Sequence, residues 1–441
     1  MDYHFYYHTM ADGTVKQVNP FSGVEVWSVP GRGKKPLGDI GREVQPTPLA
    51  YQDPEAHCAF CRARMFETAP EKARVVRIGD SFTTLHRIFP DKYSDTSPLL
   101  RRIPNLFEIL SVDYWRRNYN YKISAHNLRW KEEYLSNPTG LRHVLDILDY
   151  KLRKQDKSDE EISRISMEDK ILMADSFFGG GHELIIVDRH FRGNAQTTSD
   201  LFFTGDLGDE EHFQYFLFII DAMQDIVANN RYVRSVSVFK NWLPPAGATF
   251  DHLHTQIVAI DEWGEAMERK IKMVVQDKNV YNTYGPNFAG YNNLVFAEND
   301  YALAFVGIGH RYPTVEIFSR SINARPSEHT PEEIRGISDM VRAIHAAIGS
   351  ETSVNEEWYH TPMDSIFKIP WHVFIKLRIN TPAGFEGGTS IFINPLTPTD
   401  LRDRLVPRLY ALRSERRISS AIRIAEECKV QPNPLLYYKG S

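Results

Sequence analysis

Long apolar runs, a basic excess and a cysteine framework are all missing from this 441-residue chain. No stretch of about 18 apolar residues occurs, which excludes a transmembrane helix and argues against a membrane partner. The opening MDYHFYYHTMADG has no basic segment followed by an apolar one, so no signal peptide is read there. Cysteine is scarce: Cys58, Cys61 and Cys428 are all there are. An odd count with one close pair argues against a disulfide scaffold and for a reduced compartment, so a cytoplasmic protein is expected. Charged residues make up 25% with a net charge of −5, which excludes an electrostatic nucleic-acid binder. A specific nucleotide pocket needs only a few local cations and stays open.

What is present is a 42% hydrophobic composition, enough for two domains or two fused halves of one architecture. The first fifty residues are rich in Gly, Pro and basic side chains, with one strand-like run, GVEVWSVP. HCAFCRARMF follows, then VVRIGDSFTTL, read as a short strand. Between about 115 and 178 the texture changes. LRHVLDILDYKLRKQ has helical spacing, and SDEEISRISMEDKILMADSFF opens with cap and first-turn acids, which suggests a helical insertion. GGGHE at 179–183 reads as a turn, because no helix follows the glycines.

A regular order comes next: strand HELIIVDRHF, helix DEEHFQYFLFIIDAMQDIVANN, strand YVRSVSVFKN, then HLHTQIVAI. The order recurs as PTVEIFSRS, TPEEIRGISDMVRAIHAAI behind a capping threonine, and WHVFIKLRI. Glu332 follows Glu210 by 122 residues and His372 follows His252 by 120, which suggests a duplicated strand–helix–strand unit. The fold class expected is α+β.

The chemistry concentrates in GATFDHLHTQIVAI, Gly247 to Ile260. Residues i, i+2 and i+4 of a strand share a face, so His252, His254 and Gln256 should project together. Gly247 and Ala248 leave room for a ligand close to the backbone, and Thr249 adds a hydroxyl. Cys58-x-x-Cys61 can place two thiolates on one zinc ion, half of the four ligands expected. A redox dithiol would want a strand before the pair and a helix after it. The missing ligands should be histidines, with His190 and one of His252 and His254 as candidates. Cys428, in a C-terminal run read as helical, is assigned to packing.

These segments together resemble the galactose-1-phosphate uridylyltransferase family of the histidine-triad superfamily. NPFSGVEVWSVPGRGKKP resembles its opening segment, CAFC its zinc-binding pair, and IPNLFEIL its nucleotide-contacting Asn segment. VFKNWLPPAGATFDHLHTQ resembles the signature that ends in His-x-His-x-Gln. GFEGGTSIFINPLTP is similar to a segment of the nucleotide-sugar phosphorylase branch. The likeness spans most of the chain except the helical insertion.

The resemblance implies two fused histidine-triad-like halves, each an antiparallel sheet with a packed helix. Residues 1–114 and 179–285 would form the first half, 115–178 the insertion, and 286–441 the second half. His254 would be the nucleophile, with Gln256 on the phosphoryl oxygens and Thr249 near the leaving phosphate. Arg32, Lys35, Asn105, Asn241, Gly247, Phe385, Glu386 and Gly388 would bind substrate. Lys35 stands where the family usually has Arg, which weakens bidentate phosphate binding. One structural zinc ion would sit on Cys58, Cys61, His190 and His252.

A second metal is doubtful, since Phe374 replaces one histidine of the family's second His-x-His. His372 remains, and His360 could match a further ligand. The activity implied moves a nucleoside monophosphate between a nucleotide sugar and a sugar phosphate by way of a nucleotidyl-histidine. A phosphorylase or hydrolase of nucleotide sugars or dinucleoside polyphosphates is the alternative, and a zinc-stabilised binding protein without catalysis is a third. The family also implies a homodimer.

Overall fold

A computed structural model describes residues 3–31, 46–49 and 53–440. Three short strands open the chain: β1 (Tyr7–Thr9), β2 (Val15–Val18) and β3 (Glu25–Ser28). The sequence pattern showed only the last of them. The segment read as one strand is a hairpin, β4 (Ala73–Ile78) and β5 (Ser81–His86). Gly79 turns it with φ of +59°, the left-handed region open to glycine. β6 (Pro98–Pro104) follows.

Six helices between Val112 and Gly179 fill the stretch expected to be helical. The segment from Ser158 to Phe178 is broken into three short pieces rather than one helix. Ser158 and Ser166 each cap a new start with the side-chain oxygen, the role that disfavours serine inside a helix.

β7 (His182–Val187), β8 (Ser235–Trp242), β9 (His254–Ile260), β10 (Val295–Glu298), β11 (Ala302–Gly307) and β12 (Thr314–Ser319) come next. β13 (Val354–Tyr359), β14 (His372–Leu377), β15 (Ile391–Ile393) and β16 (Arg423–Ile424) complete the strands. Cys428 follows a short 3-10 turn rather than lying in a helix. It is half-buried, in keeping with packing.

Twelve strands form one antiparallel sheet, in the order β16-β10-β11-β12-β14-β13-β8-β9-β7-β6-β4-β5. Outward from the β13–β8 seam, both halves list their strands in the same chain order, β8-β9-β7-β6 against β13-β14-β12-β11. The duplicated unit is therefore real in space, and its two sheets are joined edge to edge. A separate four-stranded sheet carries β1-β2-β3-β15, with β15 parallel to β3.

Two central helices, Asp209–Asn229 and Pro331–Ile348, pack on one face of the large sheet and on each other. Phe216, Ile219, Ile337 and Ile344 bury fully there against Ile257, Val238 and Val373. Beneath them, at the seam, Glu356 pairs with the Lys240 ammonium and accepts from His345 Nε2, both at 2.7 Å. No helix of the described residues is long and apolar enough to cross a membrane.

The opposite face differs between the halves. In the second half it is sealed by the helices Glu265–Gln276, Val280–Tyr284 and Pro286–Tyr291, through Ile271, Tyr281 and Phe288. In the first half it carries only a small cluster of Phe60, Ile103, Leu184 and Ile186. That open face holds His254 and Gln256.

Candidate active site and metal centre

His254 opens β9 and Gln256 follows two residues on, so strand alternation does put both on the open face. His252 precedes the strand, and its ring turns toward the cysteines instead. His252 Nε2 donates to the Val187 carbonyl at 2.6 Å, which aims Nδ1 at the thiols.

Cys58, Cys61, His190 and His252 converge, with their ligand atoms all within 4.8 Å of one another. The two sulfurs are 3.8 Å apart. Sulfur-to-Nδ1 separations run from 3.2 Å for Cys61–His190 to 3.8 Å for Cys61–His252. A tetrahedral zinc site requires about 3.8 Å between sulfurs and about 3.6 Å from sulfur to nitrogen. The four residues therefore fit a closed site, and they form the one such group found among the described residues. The hydrogen bond from Cys58 holds the Cys61 thiol well below its ordinary range despite burial.

His254 Nδ1 donates to the His252 carbonyl at 2.7 Å. The proton is thereby placed on Nδ1, and Nε2 keeps its lone pair with no partner among the described residues. The ring is 6% exposed, and burial pushes its pKa down to about 4. Phe60, between the two cysteines, packs edge-on against the His254 ring at 5.3 Å. A neutral imidazole held in this way can act as a nucleophile or a general base.

Gln256 leads to a residue that sequence reasoning missed. The Ile109 N–H donates to His182 Nδ1 at 3.2 Å, which leaves the ring proton on Nε2. Gln256 Oε1 lies 3.1 Å from that nitrogen and accepts from it. The Gln256 amide nitrogen is thus turned outward as a donor. Asn105 Nδ2 lies 3.0 Å from the same His182 nitrogen; both are donors there, so the Asn segment is beside the ring without accepting from it. No spacing rule linked His182 to them; it starts β7, whose register pairs Leu184 with Gln256.

Asn241 ends β8. Phe239 pairs with Gln256, and two residues further Asn241 lies on the same face of β8. Gly247 turns the chain before β9 with φ of +88°, and its missing Cβ would lie 3.9 Å from Asn241 Nδ2. Thr249 is exposed in the same turn. Phe385, Glu386 and Gly388 lie elsewhere, on the exposed helix Gly384–Thr389. There Phe385 approaches Trp27 of β3 at 6.4 Å. Arg32 and Lys35 fall outside the described residues.

The second half has its own first-position histidine. His372 opens β14, and its Nδ1 bonds the Pro370 carbonyl at 2.7 Å, the geometry of His254. It is walled in by Phe318 and Tyr359, stacked at 4.4 Å and 5.1 Å. Phe374 lies two residues on, and the Lys270 ammonium sits 4.1 Å over the Tyr359 ring. Burial pushes the Lys270 pKa down to about 8. His360, considered above as a metal ligand, has Nδ1 3.0 Å from the Thr361 carbonyl and Nε2 3.1 Å from the Val236 carbonyl.

A family model described as a domain of unknown function (DUF4921) matches residues 10–437. No curated protein matches the chain in sequence. Among solved structures, the chain is similar to an ADP-glucose phosphorylase from Arabidopsis thaliana with bound ADP-glucose. The TM-score is 0.56 at 16% identity, covering 89% of this chain and 97% of that one. It is also similar to a GalT-like protein from Arabidopsis thaliana, with a TM-score of 0.52 at 17% identity, covering 80% and 92%. These likenesses show a shared fold and bear out the expected α+β architecture of paired antiparallel halves with packed helices.

Proposed function

The chain belongs to the DUF4921 family, and from that premise we propose that it is a nucleotidyltransferase working through a covalent nucleotidyl-His254. The observation that carries the reading is the His252 carbonyl's hold on His254 Nδ1 at 2.7 Å, which leaves Nε2 as a lone-pair donor on the open face. His254 Nε2 attacks the α-phosphorus of a nucleotide sugar. A P–N bond forms as the P–O bond to the β-phosphate breaks, and the sugar phosphate leaves with that electron pair. An acceptor phosphate oxygen then attacks the same phosphorus, and the imidazole returns neutral. Gln256 and Asn241 present amide donors to the phosphoryl oxygens, where charge develops in the transition state. Asn105, beside the same ring as Gln256, faces the nucleoside.

Cys58, Cys61, His190 and His252 hold one zinc ion in a structural role, since four protein ligands leave no position for substrate. Its contribution is to fix the peptide that anchors His254. The acceptor is a sugar phosphate in the uridylyltransferase-like reading. Inorganic phosphate is the second reading, favoured by the near full-length likeness to the ADP-glucose phosphorylase fold.

Isotope exchange tests the reaction. With a nucleotide sugar and its labelled sugar 1-phosphate as the sole substrates, label should enter the nucleotide sugar without any other acceptor. Adding phosphate or a second sugar 1-phosphate separately then identifies the acceptor. Absence of exchange across a panel of uridine, adenosine and guanosine donors contradicts the covalent route.

A further inference from the structure

Asn355, in β13 of the second half, is 9% exposed and sits directly opposite Asn241 across the seam. Its side chain makes three hydrogen bonds. Asn355 Oδ1 accepts from Arg378 at 2.8 Å. Asn355 Nδ2 donates to the Asn241 Oδ1 at 2.7 Å and to the Ala246 carbonyl at 2.8 Å. Arg378 is itself fixed, with its guanidinium 4.3 Å over the Tyr312 ring.

The orientation of an amide is ordinarily an assignment made from its neighbours. Here the neighbours leave one choice. A guanidinium has no acceptor, so the Asn355 oxygen must face Arg378. A backbone carbonyl has no proton, so the Asn355 nitrogen must face Ala246. Both anchors agree, and Asn241 is then obliged to offer its oxygen to Asn355. The Asn241 NH2 is turned the other way, toward the Gly247 turn, where a Cβ is missing 3.9 Å away. His182 sets Gln256 in the same sense.

We propose that Arg378 and Asn355 are positioning residues that fix the donor polarity of Asn241 for the transferred phosphoryl group. The inference rests on His254 being nucleotidylated as described above. It also gives the second half a task in the first half's site. The 243–248 turn, with Leu243 at φ +67°, is tied through Ala246 to the same amide.

Asn355→Asp is the test, because it keeps the shape and the Arg378 bond but can only accept. Asn241 must then rotate its NH2 to the carboxylate and present an oxygen to the phosphoryl group. In single turnovers with a nucleotide sugar that labels the wild type, the saturating rate of His254 labelling should fall about 100-fold, the cost of losing one oriented donor. The donor concentration for half-maximal rate should change little. In an Asn241→Ala background, Asn355→Asp should add almost nothing, since no amide remains to misorient.

Wild-type labelling rates in Asn355→Asp, or losses that multiply in the double variant, overturn the proposal while leaving the function intact. Failure of the wild type to label with any donor overturns the function and this inference together. Should Asn355→Asp not fold by circular dichroism, Arg378→Met carries the test. It removes the donor-only anchor, and a rate lowered about 10-fold is expected where an unchanged rate would refute the relay.

Discussion

The carbonyl oxygen of His252 accepts the Nδ1–H of His254 at 2.7 Å, so one short stretch of backbone joins the metal cluster to the proposed nucleophile. His252 turns its ring toward Cys58 and Cys61 and gives its carbonyl to His254. Two histidines one residue apart thus face different groups, and the cluster and His254 share one peptide.

Zinc content checks the cluster. Purified protein should carry about one equivalent of zinc, and Cys58→Ser should lose it, because a structural site needs all four ligands. Metal analysis that finds the same zinc in both proteins removes the assignment.

His182 should matter to rate more than to binding. His182→Phe keeps a flat ring beside Gln256 but cannot donate, so the Gln256 amide is free to reverse. The turnover number should fall about 10-fold, with KM for the nucleotide sugar within about a factor of two. A fall in affinity with unchanged turnover would mean that His182 serves only the Asn105 segment.

The seam carries a stability prediction of its own. Glu356 and Lys240 are 2% and 1% exposed and paired at 2.7 Å. Burial alone would push the Glu356 carboxyl up, yet Lys240 and His345 hold it well below its ordinary range. Glu356→Gln leaves the ammonium buried without its counter-charge and should cost about 3–5 kcal/mol. Urea unfolding measures this, and a loss under about 1 kcal/mol would contradict a charged pair.

Acid should weaken the fold before the carboxylates titrate. Burial holds the pKa of His212 and of His360 below the ordinary value, so the native state refuses protons that the unfolded chain takes up near pH 6.5. Stability therefore falls as pH drops through about 6.5, by up to about 1.4 kcal/mol per pH unit for each such histidine. Denaturation midpoints that stay flat from pH 7 to about 5 would contradict this.

What the sequence made legible was local. Alternation along one strand paired His254 with Gln256, the Cys-x-x-Cys spacing pointed to the cluster with histidines, and helical runs marked both central helices, the second behind a capping threonine. What stayed hidden depends on distant partners. His182 meets Gln256 only because β7 and β9 are neighbours, and Asn355 meets Asn241 only across a seam whose register no single strand encodes. Ser158 and Ser166 broke a helix that periodicity ran together, and Gly79 folded one apparent strand into a hairpin. The matching histidine of the second half could be seen, but not the aromatic walls that enclose it.

The central claim is a covalent nucleotide on His254, and intact-protein mass after incubation with a nucleotide sugar alone tests it most directly. The mass should rise by one nucleoside monophosphoryl group, the peptide holding His254 should carry it, and His254→Asn should show no gain. A wild type that gains no mass with any donor, or a His254→Asn variant labelled as well as the wild type, would contradict the account.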